Sequence, residues 1–262
     1  MNVSDKQLTV AVVEEYLNSI APFETAEGFD NVGLIVGRRE NPVTSIIVTL
    51  DVTMNVVREA VEKKAELIIT HHPLLFHARK NLVEEDPEAM ILCELIRNKI
   101  SVIAAHTNLD ASDYSGSACI ARALGLKNVR QDGFIFLGDL ENIENANALK
   151  TKIEGILHAD VRVYGNSETP VRTLAIAGGS FDEGYKDALR LGAQAYLTGE
   201  VRHHNAISAA MENMVLMDGT HWATEQILVP HLSASLQNAL FALKYSVNVY
   251  PSSAALFAGG AE

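Results

Sequence analysis

Short β-branched runs alternate with longer amphipathic runs along most of this chain, and that alternation limits the folds open to it. Three runs have the composition of strands: residues 45–50, 66–70 and 100–105. Each is followed by a stretch with the apolar period of a helix: residues 56–64, 87–97 and 117–124. Repeated strand–helix units predict an α/β fold with a largely parallel sheet.

The character of the chain changes near residue 130. A Gly-containing strand-and-turn region over residues 128–139 leads into a predicted helix over 142–157 and a second alternating series. A helix over 225–243 and a strand over 247–250 are predicted to return to the first domain. We therefore predict two α/β domains with mostly parallel or mixed sheets. Their predicted extents are 1–130 plus 221–262 for the discontinuous first domain, and 131–220 for the second.

The bulk composition is that of a soluble globular protein. The 262 residues are 48% hydrophobic and 21% charged, with a formal net charge of -12. This charge argues against duplex nucleic acid or an anionic membrane as the main partner. A small anionic substrate stays open, because bound metal ions would reverse the field locally.

Cysteine usage and the start of the chain predict a cytoplasmic protein. Cys93 and Cys119 lie in helical patterns and are interpreted as buried thiols in a reducing compartment. Residues 1–22 have a helical apolar pattern but include Glu14 and Glu15, which a signal peptide would not carry. No apolar run reaches the length of a membrane span.

Polar residues capable of binding metal follow three of the apolar runs, where an α/β protein places the mouth of its sheet. They are His71 and His72, Asp110, and His221 with Glu225. Imidazole and carboxylate ligands suit divalent zinc, iron, manganese or cobalt, and five of them suit two metal ions better than one. Taken singly, each segment has an ordinary interpretation as an incidental pair, a helix cap or a surface pair. The prediction of a metal site therefore rests on the three together.

Local geometry indicates how these candidate ligands are shared between two metal ions. Adjacent side chains on a strand point to opposite faces, so His71 and His72 cannot share one site from within it. At the strand end Pro73 keeps His72 extended, and the two rings can splay towards different metals. His221 and Glu225 are spaced i, i+4, which places both on one face of a helix.

Two further histidines are candidate catalytic residues. His106 lies four residues before Asp110 and could orient a ligand, carry a proton or act as an extra ligand. His204 ends the polar turn 198–204, whose alternative interpretation is a capped turn with solvated charges. The glycines of 178–180 could cradle an anion, but they do not establish nucleotide binding.

With these segments assembled, the chain resembles the Nif-three-like dinuclear-metal-centre family, also called GTP cyclohydrolase type-two homologues. The resemblance covers nearly the whole chain and is carried by five ordered motifs: residues 29–37, 69–76, 105–110, 196–200 and 218–225. It implies metal ligands at His71, His72, Asp110, His221 and Glu225. It also implies two α/β domains with the metal site in the cleft between them, and a ring-shaped homohexamer.

The chain departs from the family pattern in two respects. The glycine that usually precedes the last histidine is Thr220, which alters the local turn. Residues 125–171 leave no room for the inserted domain that some relatives carry.

Three functions remain open from the sequence. The first is a metal-dependent hydrolase in which a metal-activated water attacks a nucleotide-like or other small anionic substrate. For this function the resemblance implies attack on the imidazole ring of GTP with release of formate. The second is a non-catalytic scaffold or regulatory protein, and the third is a metal-trafficking protein. The residues name neither the metal nor the substrate.

Overall fold

In the computed structural model, which describes residues 7–254, the chain divides into two compact units. The described part of the first unit is 7–112 and 229–254, and the second is Asp113–Leu228. Each unit has its own sheet of mixed strand direction. The prediction of an α/β chain with mostly parallel or mixed sheets is confirmed. The chain passes from one unit to the other between residues 112 and 113 and again between residues 228 and 229. The predicted boundaries were between residues 130 and 131 and between residues 220 and 221.

Helices and strands alternate through the described residues. The helices are α1 (Val10–Ile20), α2 (Met54–Glu62), α3 (Pro87–Arg97), α4 (Thr107–Asp110), α5 (Gly116–Ala123), α6 (Ala146–Leu157), α7 (Tyr185–Arg190), α8 (His203–Met211), α9 (His221–Gln226) and α10 (Leu228–Ala242). The strands are β1 (Gly33–Val36), β2 (Ser45–Thr49), β3 (Leu67–Thr70), β4 (Ser101–Ala104), β5 (Lys127–Asp132), β6 (Ile135–Asn145), β7 (Arg162–Tyr164), β8 (Pro170–Ile176), β9 (Ala195–Thr198), β10 (Val215–Asp218) and β11 (Asn248–Pro251). None of the helices within residues 7–254 has both the length and the apolar character needed to cross a membrane.

The sheet of the first unit has the order β1-β4-β3-β2-β11. Strands β2, β3, β4 and β11 are parallel, and the edge strand β1 pairs antiparallel with β4. Ile47, Ile68 and Val102 are buried against apolar side chains of α2 and α3. Because β2, β3 and β4 run in one direction, the segments after them begin at the same edge of the sheet. This is where Asp51, His71 and His106 follow.

The sheet of the second unit has the order β5-β6-β8-β9-β10-β7. Strands β8, β9 and β10 are parallel, and the others pair antiparallel. Its core includes Leu174, Leu197 and Met217. Ile120 of α5 and Ala223 of α9 are buried in this same core. Their burial explains why both helices belong to the second unit and not, as predicted, to the first.

Strand β6 extends further than its sequence indicated. The strand continues to Asn145, and Glu144 and Asn145 pair with Val171 and Pro170 of β8, so the prediction of a helix is wrong for residues 142–145. Helix α6 begins only at Ala146, where the Asn145 side chain accepts a hydrogen bond from the Ala148 backbone N–H. Cross-strand pairing therefore outweighs the helical pattern of this segment.

A buried carboxylate in the first unit ties the end of the chain's described part to α2. Glu59 is 8% exposed and accepts hydrogen bonds from the Ser252 hydroxyl, at 2.6 Å, and from the backbone N–H and hydroxyl of Ser253. Lys63 pairs with it at 2.7 Å. Burial by itself raises the pKa of Glu59, but these donors outweigh it and lower that pKa to about 2.

We expect Glu59→Gln to lower the free energy of unfolding at pH 7 by about 3 kcal/mol, because the donors would lose a charged acceptor. The lowered pKa means that this stabilisation is complete above about pH 4.5 and is lost as the pH falls towards 2. Urea unfolding between pH 7 and 3 should therefore show a shallower pH dependence in the variant. Glu62→Gln, an exposed carboxylate on the same helix, is the matched control. Equal pH profiles for the wild type and Glu59→Gln would contradict this role.

A strained residue precedes α9. Thr220 has φ 64° and ψ 146°, a conformation that a β-branched side chain rarely adopts. Its hydroxyl accepts a hydrogen bond from the Ala223 backbone N–H at 3.3 Å, so it still caps the helix. The backbone thus retains the turn that a glycine would make without strain, and the threonine contributes the cap.

We expect Thr220→Gly to raise the free energy of unfolding by about 1 kcal/mol, since relief of strain should exceed the loss of the cap. Thr53→Gly is a matched control, because Thr53 caps α2 with the same 3.3 Å hydrogen bond at an ordinary φ of -100°. The control should lose stability. A comparable loss in both variants, measured by chemical denaturation, would show that Thr220 stores no strain.

Candidate metal centre

The adjacent histidines His71 and His72 follow the last residue of β3. His71 is 1% exposed, and the centroids of the two rings are 5.0 Å apart with their planes tilted by 50°. The Thr70 hydroxyl donates to the Leu50 and His72 carbonyls, at 2.8 and 3.1 Å, and so holds the bend at the strand end. The two rings therefore lie side by side with their planes in different orientations.

His106 completes a cluster of three imidazoles in the first unit. Its ring centroid is 5.1 Å from that of His71 and 5.5 Å from that of His72. One donor atom from each of the three rings lies within 4.8 Å of the other two. His106, which the sequence suggested as a catalytic residue, is therefore placed directly beside two of the predicted ligands.

Each ring of this cluster is oriented by a hydrogen bond at Nδ1. His71 Nδ1 lies 3.0 Å from the Ala105 carbonyl, His72 Nδ1 2.9 Å from Asp51 Oδ1, and His106 Nδ1 2.9 Å from Asp30 Oδ1. Carbonyl and ionised carboxylate oxygens only accept hydrogen bonds, which assigns the proton of each neutral ring to Nδ1. All three rings then present an Nε2 lone pair. Histidines that bind metal ions are characteristically oriented in this way.

The Asp30 carboxylate is fixed as a hydrogen-bond acceptor. Its side chain is buried, and it receives hydrogen bonds from the His106 ring and from the backbone N–H and hydroxyl of Thr107. Burial raises the pKa of Asp30, but the hydrogen bonds from His106 and Thr107 prevail and hold that pKa well below its ordinary value. Asp30 is thus ionised at neutral pH and accepts the hydrogen bond from His106 Nδ1.

Asp110 ends the short helix α4 beside His71. Its Oδ1 lies 3.6 Å from His71 Nε2, longer than an ordinary hydrogen bond. Two ligands that each lie about 2.0–2.1 Å from one tetrahedral metal are roughly 3.3 Å apart. The spacing therefore fits two donors to a shared cation. Buried Asn108 holds the turn by donating to the Ala21 carbonyl and accepting from the His106 backbone N–H.

In the second unit, His221 and Glu225 lie one turn apart on α9. His221 Nε2 is 3.1 Å from Glu225 Oε2, and its Nδ1 is 2.7 Å from Glu200 Oε1. Both ring nitrogens thus face carboxylate oxygens, although a neutral imidazole carries only one proton. With that proton donated to Glu200, the Nε2 lone pair and the Glu225 carboxylate suit a cation between them. The donor types fit a divalent metal.

Neighbouring residues of the second unit make room for this pair and hold it in place. A Cβ at Gly179 would lie 2.2 Å from Glu225 Oε1, so only glycine admits the carboxylate there. Asp182 accepts from the Arg202 backbone N–H and guanidinium and anchors the turn that carries Glu200. Burial raises the pKa of Asp182, and the hydrogen bonds from Arg202 and Asn205 lower it to about 2.

Among the described residues, His204 belongs to none of the groups of possible metal donors. It is exposed in the first turn of α8, and within residues 7–254 its side chain makes no hydrogen bond or ion pair. Its suggested role as a proton carrier stays a prediction.

Sequence reasoning missed the carboxylates Asp30, Asp51 and Glu200, which orient His106, His72 and His221. Asp30 and Glu200 lie inside motifs that carried the family resemblance, without a chemical reason attached to them. Asp51 had a usable signal. It follows β2, the parallel neighbour of the strand that ends before His71, and parallel strands end at one edge.

The sequence of the chain matches those of known proteins along most of its length. Residues 8–255 match the family described as Duf34/NIF3 (NGG1p interacting factor 3). A GTP cyclohydrolase 1 type 2 homolog of Streptomyces coelicolor is 34% identical over 80% of this chain and 79% of its own length. A homolog of the same name from Clostridium acetobutylicum is 30% identical over 86% of this chain and 88% of its own.

The fold agrees with this match. The crystal structure of Staphylococcus aureus protein SA1388 superposes with a TM-score of 0.90 at 26% identity, covering 95% of this chain and 97% of that one. The Bacillus cereus protein related to NIF3 gives the same TM-score at 21% identity, covering 96% of this chain and 98% of that one. The resemblance identified from the sequence motifs is confirmed, and the chain belongs to the DUF34/NIF3 family.

Proposed function

We propose that this protein is a metal-dependent hydrolase with a dinuclear centre formed by His71, His72, Asp110, His221 and Glu225. The observation that carries the proposal is the shared orientation of the histidines. Each has an oxygen acceptor at Nδ1, so Nε2 is the ring nitrogen that would bind a metal. The metals are divalent zinc, iron, manganese or cobalt, in keeping with nitrogen and carboxylate donors.

The number of candidate metal donors in each unit supports assigning both sets of donors to one centre. The first unit offers His71, His72 and Asp110, and the second offers His221 and Glu225. Catalytic metal sites commonly have three protein ligands, more than the second unit provides through this pair. We propose that His71 and His72 would hold different metals and that Glu225 would help to hold both.

The substrate in this proposal is nucleotide-like or another small anionic molecule. Two relatives are named GTP cyclohydrolase 1 type 2 homolog, which supports testing GTP first. When bound, the metal ions would acidify a water molecule and stabilise negative charge that develops during attack. His106 Nε2 would accept or return the proton, and the ionised carboxylate of Asp30 would stabilise the protonated ring through Nδ1. His204 is the second proposed proton carrier.

Two broader features complete the proposal. The family resemblance supports a ring-shaped homohexamer, which light scattering coupled to gel filtration would test. Cys93 and Cys119 are both free thiols, which supports a reducing, cytoplasmic location.

We expect the double variant His72→Ala, Glu225→Ala to bind fewer metal ions than the wild type and to lose turnover. Each substitution would remove one donor from the proposed set. Metal content would be measured by mass spectrometry, and turnover by release of formate from GTP and by phosphoester hydrolysis. His158→Asn is a control that keeps a residue tolerant of the left-handed conformation observed at φ 53°. Undiminished turnover in the double variant would refute the proposed hydrolase function.

We expect Asp51→Ala to weaken metal binding by about tenfold to a hundredfold, because His72 would lose the acceptor that orients its ring. Competition with a chromogenic chelator would measure the dissociation constant. Asp160→Ala, at an exposed carboxylate of the second unit, should leave that constant unchanged. An equal affinity in Asp51→Ala and wild type would show that His72 is oriented by other contacts.

A further inference from the structure

A cavity of about 800 Å3 opens in the first unit beside the histidine cluster. Its wall includes Phe29, Asp30, Phe76, His77 and Lys80. The volume is within the range of cavities that hold small molecules in proteins. None of the proposed metal ligands lines this cavity. The proposed metal centre therefore does not explain why these residues line it.

Two phenylalanine rings of the wall are exposed to solvent. Phe29 is 64% exposed and Phe76 is 40% exposed, and their ring centroids lie 6.2 Å apart at an interplanar angle of 58°. Large aromatic side chains generally gain free energy by burial. A pair left exposed on a concave wall therefore offers stacking surfaces for a planar ligand.

The same wall is connected to the proposed reaction centre. Phe76 packs edge-on against His106, with 6.3 Å between ring centroids. Asp30 lines the cavity while its buried carboxylate holds the His106 ring. A ring packed against Phe29 and Phe76 would therefore lie next to the histidine to which we assign proton transfer.

The charges of the wall favour an acidic ligand. Asp30 contributes the only carboxylate among the described lining residues, and its hydrogen bonds to His106 and Thr107 occupy it. Arg79 is engaged by Asp86 and Glu88. Lys80 is exposed and forms no ion pair within residues 7–254. In a chain of net charge -12, this leaves one available cation among the described residues that line this aromatic cavity.

We propose that this cavity binds the ring portion of the substrate, a planar aromatic or heteroaromatic group that bears an acidic substituent. Phe29 and Phe76 pack against the ring, and Lys80 pairs with the acid. The assignment of the ligand as substrate rests on the proposed hydrolase function, whereas the binding site itself can be tested without turnover.

The test uses the full chain after metal removal by a chelator, with 1-naphthalenesulfonate as the probe. Sulfonate binds divalent metals poorly, and the absence of metal separates this site from the metal centre. The probe's fluorescence would be titrated against protein. Uncharged 1-naphthol and ring-free methanesulfonate would then be compared as competitors for the bound probe. We expect the wild type to bind the sulfonated ring more tightly than either comparison compound.

The variants assign the two contacts. Phe29→Leu should weaken probe binding about tenfold through loss of stacking. Lys80→Gln should weaken it about threefold and remove the preference over 1-naphthol, because the acid would lose its exposed counter-ion. Phe241→Leu, at a 76% exposed phenylalanine of α10, and Lys127→Gln, at an exposed lysine of β5, are the matched controls.

Three results would overturn the proposal. One is an affinity for the probe that is unchanged from wild type in both Phe29→Leu and Lys80→Gln. Another is a loss of probe affinity in the control variants equal to that in the cavity variants. The third is an absence of probe binding together with a changed sedimentation coefficient for Phe29→Leu, which would make the aromatic wall a contact between copies of the chain. Probe binding lost only in the cavity variants supports the site even if the metal-loaded protein hydrolyses nothing.

Discussion

The hydrogen bond from each histidine Nδ1 to an oxygen held by the fold is the interaction on which the candidate centre depends. Asp51, the Ala105 carbonyl and Glu200 are the acceptors for His72, His71 and His221. An imidazole without such an acceptor could present either nitrogen and could rotate about its side-chain bonds. With the acceptor in place, the ring presents Nε2 in one direction. The carboxylates that orient the rings are therefore as important to the site as the ligands.

The parallel strands of the first sheet explain why these groups meet. Strands β2, β3 and β4 run together in register, so the residues that follow them begin at one edge. The sheet needs only ordinary apolar residues to hold this register, such as Ile47, Ile68 and Val102. The polar segments beyond the strand ends can then carry chemistry without disturbing the core. Backbone conformation positions the candidate residues of the second unit. Gly179 leaves space for the Glu225 carboxylate, and strained Thr220 caps α9.

Much of the fold could be predicted from local patterns, and the failures have physical causes. The β-branched runs at β2, β3 and β4 predicted strands because such residues pack well on a pleated surface. Residues 142–145 were predicted as helix because their pairing partner in β8 lies far along the chain. The unit boundaries differed because helices α5 and α9 pack by burial of Ile120 and Ala223, which their own sequences do not assign to either core. His221 and Glu225 of α9 thereby belong to the second unit.

The sequence by itself determined the class of fold, the family and the chemical types of the candidate metal donors. Strand and helix periodicity are local properties, and donor chemistry belongs to each side chain. Tertiary structure decided which nitrogen each histidine presents, since that depends on acceptors distant in sequence: Asp30 for His106, Asp51 for His72 and Glu200 for His221. It also placed exposed Phe29 beside Phe76, from a separate motif. Pairwise contacts between distant segments arise from packing, and no single segment encodes them.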